Sequence, residues 1–369
     1  MIREYLEKKD GVTEYLLKCK SIAENAGTIF LFGSAKGGEK VFHFLQKYRF
    51  ENKIAYVVDN DTMKQGKKFY GIEIISADEM QSKLLKYDAP IIITASGSAH
   101  IIREQLINMG IADNLIFEFV FTNLQTDPTP YTFFMNHINE LDRTYDLLSD
   151  KRSKDVYLGL VNYKISCDPT YLANIADNEE DQYFDRELIK IREEECFVDC
   201  GAYIGDTLDE FLKRTISFGK YYCFEADKAI YQVLESHVNE LEISDVELYN
   251  IGCWNRGGYL AFDSKGSGSS RIGGVEAGEN IKVEALDKVL TEKKVTFVKM
   301  DIEGAEQEAL YGMKDIIKKQ KPILAISIYH SLEDFMEIPK IIHDMNSKYK
   351  IYIRHYRKLS DSETVCYAI

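Results

Sequence analysis

The acids of this chain fall at spacings that would let a folded protein use them for chemistry. Asp199 closes a short apolar run, Phe197 and Val198, and precedes a glycine turn in the stretch FVDCGAYIGDT, where Gly201 and Gly205 are separated as G-x-x-x-G. A buried strand, a tight turn and a helix are how an open α/β sheet offers a ligand the carboxyl end of its first strand. The details select the ligand. A dinucleotide fingerprint places a glycine two positions after the first, so that the backbone can approach a pyrophosphate. Tyr203 occupies that place here. A bulky side chain there disfavours a pyrophosphate, and an acid before the turn suits a ligand with a positive amino group. Both points favour S-adenosylmethionine (SAM) over NAD. Glu225 ends the next strand-like run, YYCFEAD, about twenty residues after Gly205, where a carboxylate can accept from both hydroxyls of a ribose. Cys253 and Trp254 follow a third such run and could flank an adenine, with packing as the competing role.

A second constellation lies in VKMDIEGAE, where Lys299, Asp301 and Glu303 alternate along a strand and its exit and Glu306 opens the following helix. Transfer of a methyl group from a sulfonium to an alcohol is an in-line displacement that needs alignment and a route for the hydroxyl proton. Asp301 or Glu303 could hold the hydroxyl or take its proton. His330, ending the next apolar run, is another candidate base because histidine titrates near neutrality. Each residue also has a plain structural role to weigh: a turn cap for Asp199, a solvated strand end for Glu225, a salt bridge for Lys299, a helix-start acid for Glu306 and a structural side chain for His330. Asp301, Glu303 and His330 could also bind a divalent metal, although no compact metal spacing is present.

The elements that must position these residues are strands alternating with helices. Residues 196–369 read as a mainly parallel sheet ending in an antiparallel pair, the outline of a SAM-dependent methyltransferase. Residues 122–195 read as a linker followed by a helical lead-in, in which Gln182, Tyr183 and Phe184 either line the mouth of the following domain or, the stronger expectation for such aromatics, pack in its interior. Residues 1–121 read as a separate Rossmann-like domain: a strand over 28–32, a turn over 33–38 and a helix over 39–48. The expected fold is therefore α/β, with two doubly wound Rossmann-like domains. In the first, Gly33, Ala35 and Gly38 approach a G-x-G-x-x-G fingerprint, and Asp59 lies about twenty residues on. That is either a nucleotide or nucleotide-sugar site or a tight β–α turn in a domain used for packing or assembly. The VVDND and YGIEII segments resemble the small Rossmann-like domain at the front of bacterial sugar-modifying enzymes.

A net charge of −14 over 369 residues disfavours a general nucleic-acid or acidic-membrane surface. Seven scattered cysteines, with no C-x-x-C, suit a reduced, cytoplasmic protein. The charged start lacks the apolar core of a signal peptide, and no apolar run is long enough to span a membrane. A homo-oligomer is left open.

Taken in order, FVDCGAYIGDT, FEAD, SSRI, VEALDKVL and VKMDIEGAEQEALYGM resemble the FkbM family of SAM-dependent methyltransferases over residues 180–369. The resemblance implies O-methylation of hydroxyls on sugars or polyketide-like compounds. It implies that Asp199, Gly201, Gly205 and Glu225 hold SAM and that Lys299, Asp301, Glu303 and Glu306 line the reaction centre. The sequence departs from the family at Cys253-Trp254, where small residues are usual, and at His330, which follows Tyr329 where an acid is often found. The glycine-serine loop over 266–274 reads either as a mobile cover, with Arg271 contacting an anionic part of the substrate, or as a plain surface loop; Glu306, on its own helix, is a second candidate for the substrate. The reading is a SAM-dependent O-methyltransferase acting on a sugar, glycan or glycan precursor. Two rivals stand beside it: an NAD-dependent oxidoreductase or epimerase using the first domain, and a non-catalytic binding protein that retains the fold.

Overall fold

A computed structural model describes residues 1–84, 89–95, 98–119, 126–263, 271–272, 279–358 and 360–369, with the side chains of 262, 263, 271, 272 and 279 outside the description. Two compact units emerge. The smaller comprises Glu7–Phe133 with Lys164–Cys167, and the larger comprises Met1–Leu6, Phe134–Tyr163 and Asp168–Ile369.

The smaller unit is built on β1 (Ile29–Phe32), β2 (Ile54–Val58), β3 (Lys68–Phe69), β4 (Ile72–Ile75), β5 (Ile91–Ile93) and β6 (Ile116–Glu118), in the sheet order β3-β4-β2-β1-β5-β6. All pairings are parallel except the β3–β4 edge. β1 and β5 are buried along their whole length, which is why IFLF and III carry no polar alternation. The helix after β1 runs over Lys36–Lys47, so it starts earlier than the sequence pattern predicts.

The larger unit contains β7 (Cys196–Cys200), β8 (Lys220–Phe224), β9 (Val246–Tyr249), β10 (Gly252–Cys253), β11 (Gly258–Asp263), β12 (Arg271–Ile272), β13 (Glu279–Glu284), β14 (Phe297–Met300), β15 (Ile323–Ser327), β16 (Ile351–His355) and β17 (Thr364–Ala368). Its main sheet has the order β16-β17-β15-β14-β7-β8-β9, with β17 antiparallel to both neighbours and the other pairs parallel. The order reverses between β7 and β14. Chain crossovers leave that sheet by opposite faces on the two sides of such a point, opening a crevice at the carboxyl ends of the strands. Stacking of Phe197 between Tyr221 and Phe297, at centroid distances of 4.8 and 4.6 Å, locks β7 to its neighbours.

The run VELYNIGCW, read as one strand, is two. It breaks after Tyr249, where the Asn250 side-chain amide donates to the Glu225 carbonyl at 2.9 Å, and β10 then joins a second, four-stranded sheet of order β10-β13-β11-β12. The expected hairpin arm is β11 paired antiparallel with β13. The lead-in is helical over Pro130–Asn136, Ile138–Leu147, Lys151–Ser166 and Thr170–Ile175.

Candidate active site

A cavity of about 470 Å³ opens at the carboxyl ends of β7, β8, β14 and β15, beside the turn that enters β17. It lies where strand order predicts a ligand crevice.

The turn after β7 shapes its floor. Gly201 has φ +79°, and a Cβ there would sit 1.9 Å from the Asp301 carbonyl oxygen, so the β7 and β14 exits can approach only through glycine. Tyr203 also takes a left-handed conformation, with φ +47°. Its amide donates to Glu225 Oε2 at 3.1 Å, while Glu225 Oε1 accepts from the Asp227 amide at 2.8 Å. The two amides anchor the Glu225 carboxylate at the cavity wall. Burial pushes its pKa up to about 7 against the pull of those amides.

Asp199 does not reach the cavity. It is fully buried and holds two partners: the Lys299 ammonium, 2.9 Å from its Oδ1, and the Tyr221 hydroxyl, which donates to its Oδ2 at 2.8 Å. Lys299 in turn donates to the Gly201 carbonyl at 2.7 Å and lines the cavity. Burial disfavours its charge, but Asp199 and Asp301 outweigh that and keep it protonated. Asp199 therefore sets the glycine turn through Lys299 and not by direct contact. The structural role weighed for Lys299, a salt bridge, and a place in the cavity wall are both met.

Beyond β14 the chain turns through Glu303 (φ +57°) and Gly304 (φ +100°). Glu306 ties this turn: its Oε1 accepts from the Ile302 amide at 2.8 Å and its Oε2 from the Gly304 amide at 3.0 Å. Glu306 is fully buried, which corrects its expected place at the substrate. It shapes the loop that presents Glu303 to the cavity.

His330 is likewise moved from a base to a positioning role. Its Nδ1 lies 3.0 Å from Glu306 Oε1 and its Nε2 3.3 Å from Asp301 Oδ1, with the side chain 4 % exposed. Burial opposes a charge on the ring, but Glu306 and Asp301 outweigh it and raise the pKa well above the ordinary value. Protonated on both nitrogens, the ring has no lone pair for a substrate proton. Asp301, Glu306 and His330 offer one donor atom each within 4.8 Å of one another, the metal-like grouping among the described residues. The imidazolium offsets one of the two carboxylate charges in that grouping, and Glu303 is not part of it.

Asp301 lines the cavity and accepts from the Tyr183 hydroxyl at 2.7 Å and the Tyr329 hydroxyl at 3.0 Å. Burial pushes its pKa up, but His330, Lys299 and Tyr183 prevail and hold it well below the carboxylate range. It is a permanently charged, fully engaged acceptor.

Cys253 lines the cavity; Trp254 packs against the Ile281–Val283 cluster. The Arg271 side chain and most of the 266–274 loop lie outside the description. Gln182 and Tyr183 line the cavity, although packing was the stronger expectation for the tyrosine. Arg357 and Glu363, also in the wall, were not singled out from the sequence. Their only sequence signal is a pair of charges between the two strands of the terminal hairpin.

In the smaller unit, Gly33 has φ +117°, and a Cβ on Gly38 would meet the Gly33 carbonyl oxygen at 2.4 Å. Asp59 Oδ2 accepts from the Ser34 amide at 3.0 Å and from its hydroxyl, and pairs with Lys64 at 3.2 Å. These contacts account for both glycines and for the acid as parts of the β–α turn.

Comparison with known proteins follows this geometry. Residues 199–349 match the model of the methyltransferase FkbM domain. The chain carries an FkbM methyltransferase domain. Residues 25–117 match a second model, the C2185-like N-terminal domain. Among solved structures, the FkbM methyltransferase from Methylobacillus flagellatus KT is similar at 20 % identity over 98 % of each chain, with a TM-score of 0.72. Its likeness extends the shared fold to both units. Aeropyrum pernix fibrillarin, solved with natively bound SAM, aligns at 11 % identity over 52 % of this chain and 76 % of its own, with a TM-score of 0.34. A SAM-dependent methyltransferase from Aquifex aeolicus aligns at 17 % identity over 55 % of this chain and 97 % of its own, with a TM-score of 0.32. No functionally curated protein matches. The family match over residues 199–349 supports SAM-dependent methyltransferase activity. No helix among the described residues is long and apolar enough to cross a membrane.

Proposed function

We propose that the FkbM domain transfers the methyl group of SAM to a hydroxyl of a sugar, glycan or glycan precursor. One observation carries the cofactor's place: among the described residues, the cavity wall holds Glu179, Asp206, Glu225, Asp301, Glu303 and Glu363 against Lys299 and Arg357 as cations. Such a surplus of acids suits a ligand with a sulfonium and an ammonium and opposes the pyrophosphate of NAD. The volume is also in the range of small-molecule pockets.

SAM supplies an electrophilic methyl group when bound. Glu225, at the end of β8, would accept from the ribose hydroxyls. Gly201 and Tyr203 would present the turn to the amino-acid end, with Lys299 and Asp199 fixing its shape. Cys253 would border the base. Asp301, held anionic, would lie nearest the cationic centre, and Tyr183 and Tyr329 would hold it there. Across the reversal in strand order, the β14, β15 and β17 side is left for the acceptor. Its polar lining (Gln182, Glu303, Arg357 and Glu363) suits a hydroxylated compound more than an apolar one. The resemblance to FkbM enzymes supports sugar or polyketide-like alcohols, and the front domain's likeness to those of sugar-modifying enzymes favours a sugar. Six buried and one half-buried free cysteine support action in a reducing cytoplasm.

The test is isothermal titration with SAM and with NAD, followed by methyl-labelled SAM against nucleotide sugars and methyl glycosides. SAM binding, no NAD binding and label on an oxygen are expected. Label transferred to nitrogen or carbon only would overturn the alcohol reading.

A further inference from the structure

We propose that Glu363 is the catalytic base that takes the proton of the acceptor hydroxyl. This rests on the alcohol-methylating reading above.

The layout of the main sheet supports it. β8, β7, β14, β15 and β17 lie side by side in that order. Glu225 marks the cofactor end, and Glu363, the residue before β17, lines the other end of the same cavity. Its backbone is in the left-handed region, φ +62°, and its carbonyl accepts from the Tyr356 amide at 3.1 Å. A non-glycine residue is held in that conformation at a cost of about 1–2 kcal/mol, and such strain concentrates at functional sites.

Two other wall carboxylates, Glu225 and Asp301, are committed differently. Glu225 spends each oxygen on a backbone amide. Asp301 takes two phenol hydroxyls and faces the charged ring of His330, so it is a weak proton acceptor. Glu363 instead accepts on Oε2 from the neutral Gln182 side-chain amide and on Oε1 from Arg357 at 3.3 Å, a guanidinium whose side chain is 50 % exposed. Burial raises its proton affinity and Asp301 adds to it, partly offset by Gln182, Arg357 and the charged ring of His330. A carboxylate in that setting can take a proton that Asp301 cannot.

In the step, the acceptor oxygen bonds to the methyl carbon as the carbon–sulfur bond breaks. The bond pair remains on sulfur, which becomes a neutral thioether in S-adenosylhomocysteine. The hydroxyl proton passes to a Glu363 oxygen and later to water.

The test compares Glu363→Gln with Glu303→Gln in the full chain, using the methyl glycosides and nucleotide sugars that the wild type methylates. For Glu363→Gln, kcat should fall by about 10²–10⁴-fold, the span of general-base catalysis. SAM affinity by calorimetry should stay within about threefold, on the order of 0.6 kcal/mol. The acid limb of the wild-type kcat/KM profile should also vanish, which a merely structural role would not cause. Glu363→Gln within threefold of wild-type kcat, or an equal loss confined to Glu303→Gln, would overturn the proposal. A wild type that fails to bind SAM would instead overturn the cofactor reading, and one that binds SAM but methylates no alcohol would overturn the acceptor reading. A carbon-13 NMR titration assigned by Glu363→Gln decides the base in every case. A Glu363 carboxyl that titrates at or below the ordinary glutamate value overturns it, and one that titrates above supports it.

Discussion

Replacing Lys299 by methionine removes an ammonium while keeping most of its apolar stem. The wild-type ammonium is 2.9 Å from Asp199 Oδ1, and the two side chains are 4 % and 0 % exposed. Removing one member of such a pair leaves a buried charge without compensation, at about 3–5 kcal/mol. The Gly201 carbonyl also loses its donor. At about 2–4 °C per kcal/mol for a unit of this size, Tm should fall by roughly 6–20 °C. Burial already pushes the Asp199 pKa up, and loss of Lys299 would push it further. An acid whose folded pKa lies above its unfolded one loses stability as pH rises between the two, so the deficit should grow from pH 5 to pH 8. The double variant Asp199→Asn, Lys299→Met carries no stranded charge and should recover a large part of the loss. Urea denaturation of the two singles and the double gives the coupling directly, with about 2 kcal/mol or more expected. A Lys299→Met protein within about 1 kcal/mol of wild type, or a double variant equal to the sum of the singles, would refute the positioning role of the pair.

Three further outcomes follow from the same geometry. Glu225→Gln should weaken SAM by about 10–100-fold, the worth of a charged hydrogen bond, and wild-type affinity should strengthen as pH rises through about 7 while the variant stays flat; calorimetry at pH 6, 7 and 8 checks both. His330→Gln should destabilise the fold by about 3–5 kcal/mol. The raised His330 pKa makes its contribution complete below the unfolded value and lost only as pH rises through the folded one, so the gap to wild type in urea denaturation should persist at neutral pH and shrink in alkali. Gly201→Ala drives a Cβ to within 1.9 Å of the Asp301 carbonyl and should abolish SAM binding or folding, read by calorimetry and circular dichroism.

The strand–turn–helix at β7 and the VKMDIEGAE turn were legible because each is local: apolar runs, glycines and acids within one segment. The mainly parallel sheet with its antiparallel last pair followed from alternation of strands and helices; the Tyr249 break was missed, because a side-chain hydrogen bond from Asn250 ends β9. What spacing could not show was which acids face the cavity. Asp199 closes one strand on paper while Lys299 and Asp301 alternate along another, yet burial turns Asp199 into the anchor of Lys299. His330 read as a base because its ordinary pKa is near neutral; only the convergence of Glu306 and Asp301 from other elements makes it a cation. Glu363 and Arg357 are carried to the cavity by the antiparallel insertion of β17 beside β15, a long-range pairing that no local motif announces.

The most direct test of a SAM site at the β7–β8 end of an acidic cavity is a calorimetric titration of SAM into wild type and Glu225→Ala at pH 8. A saturable wild-type isotherm that is lost or strongly weakened in the variant is predicted. Equal SAM affinity in the two proteins, or no SAM binding to a folded wild type, would contradict it.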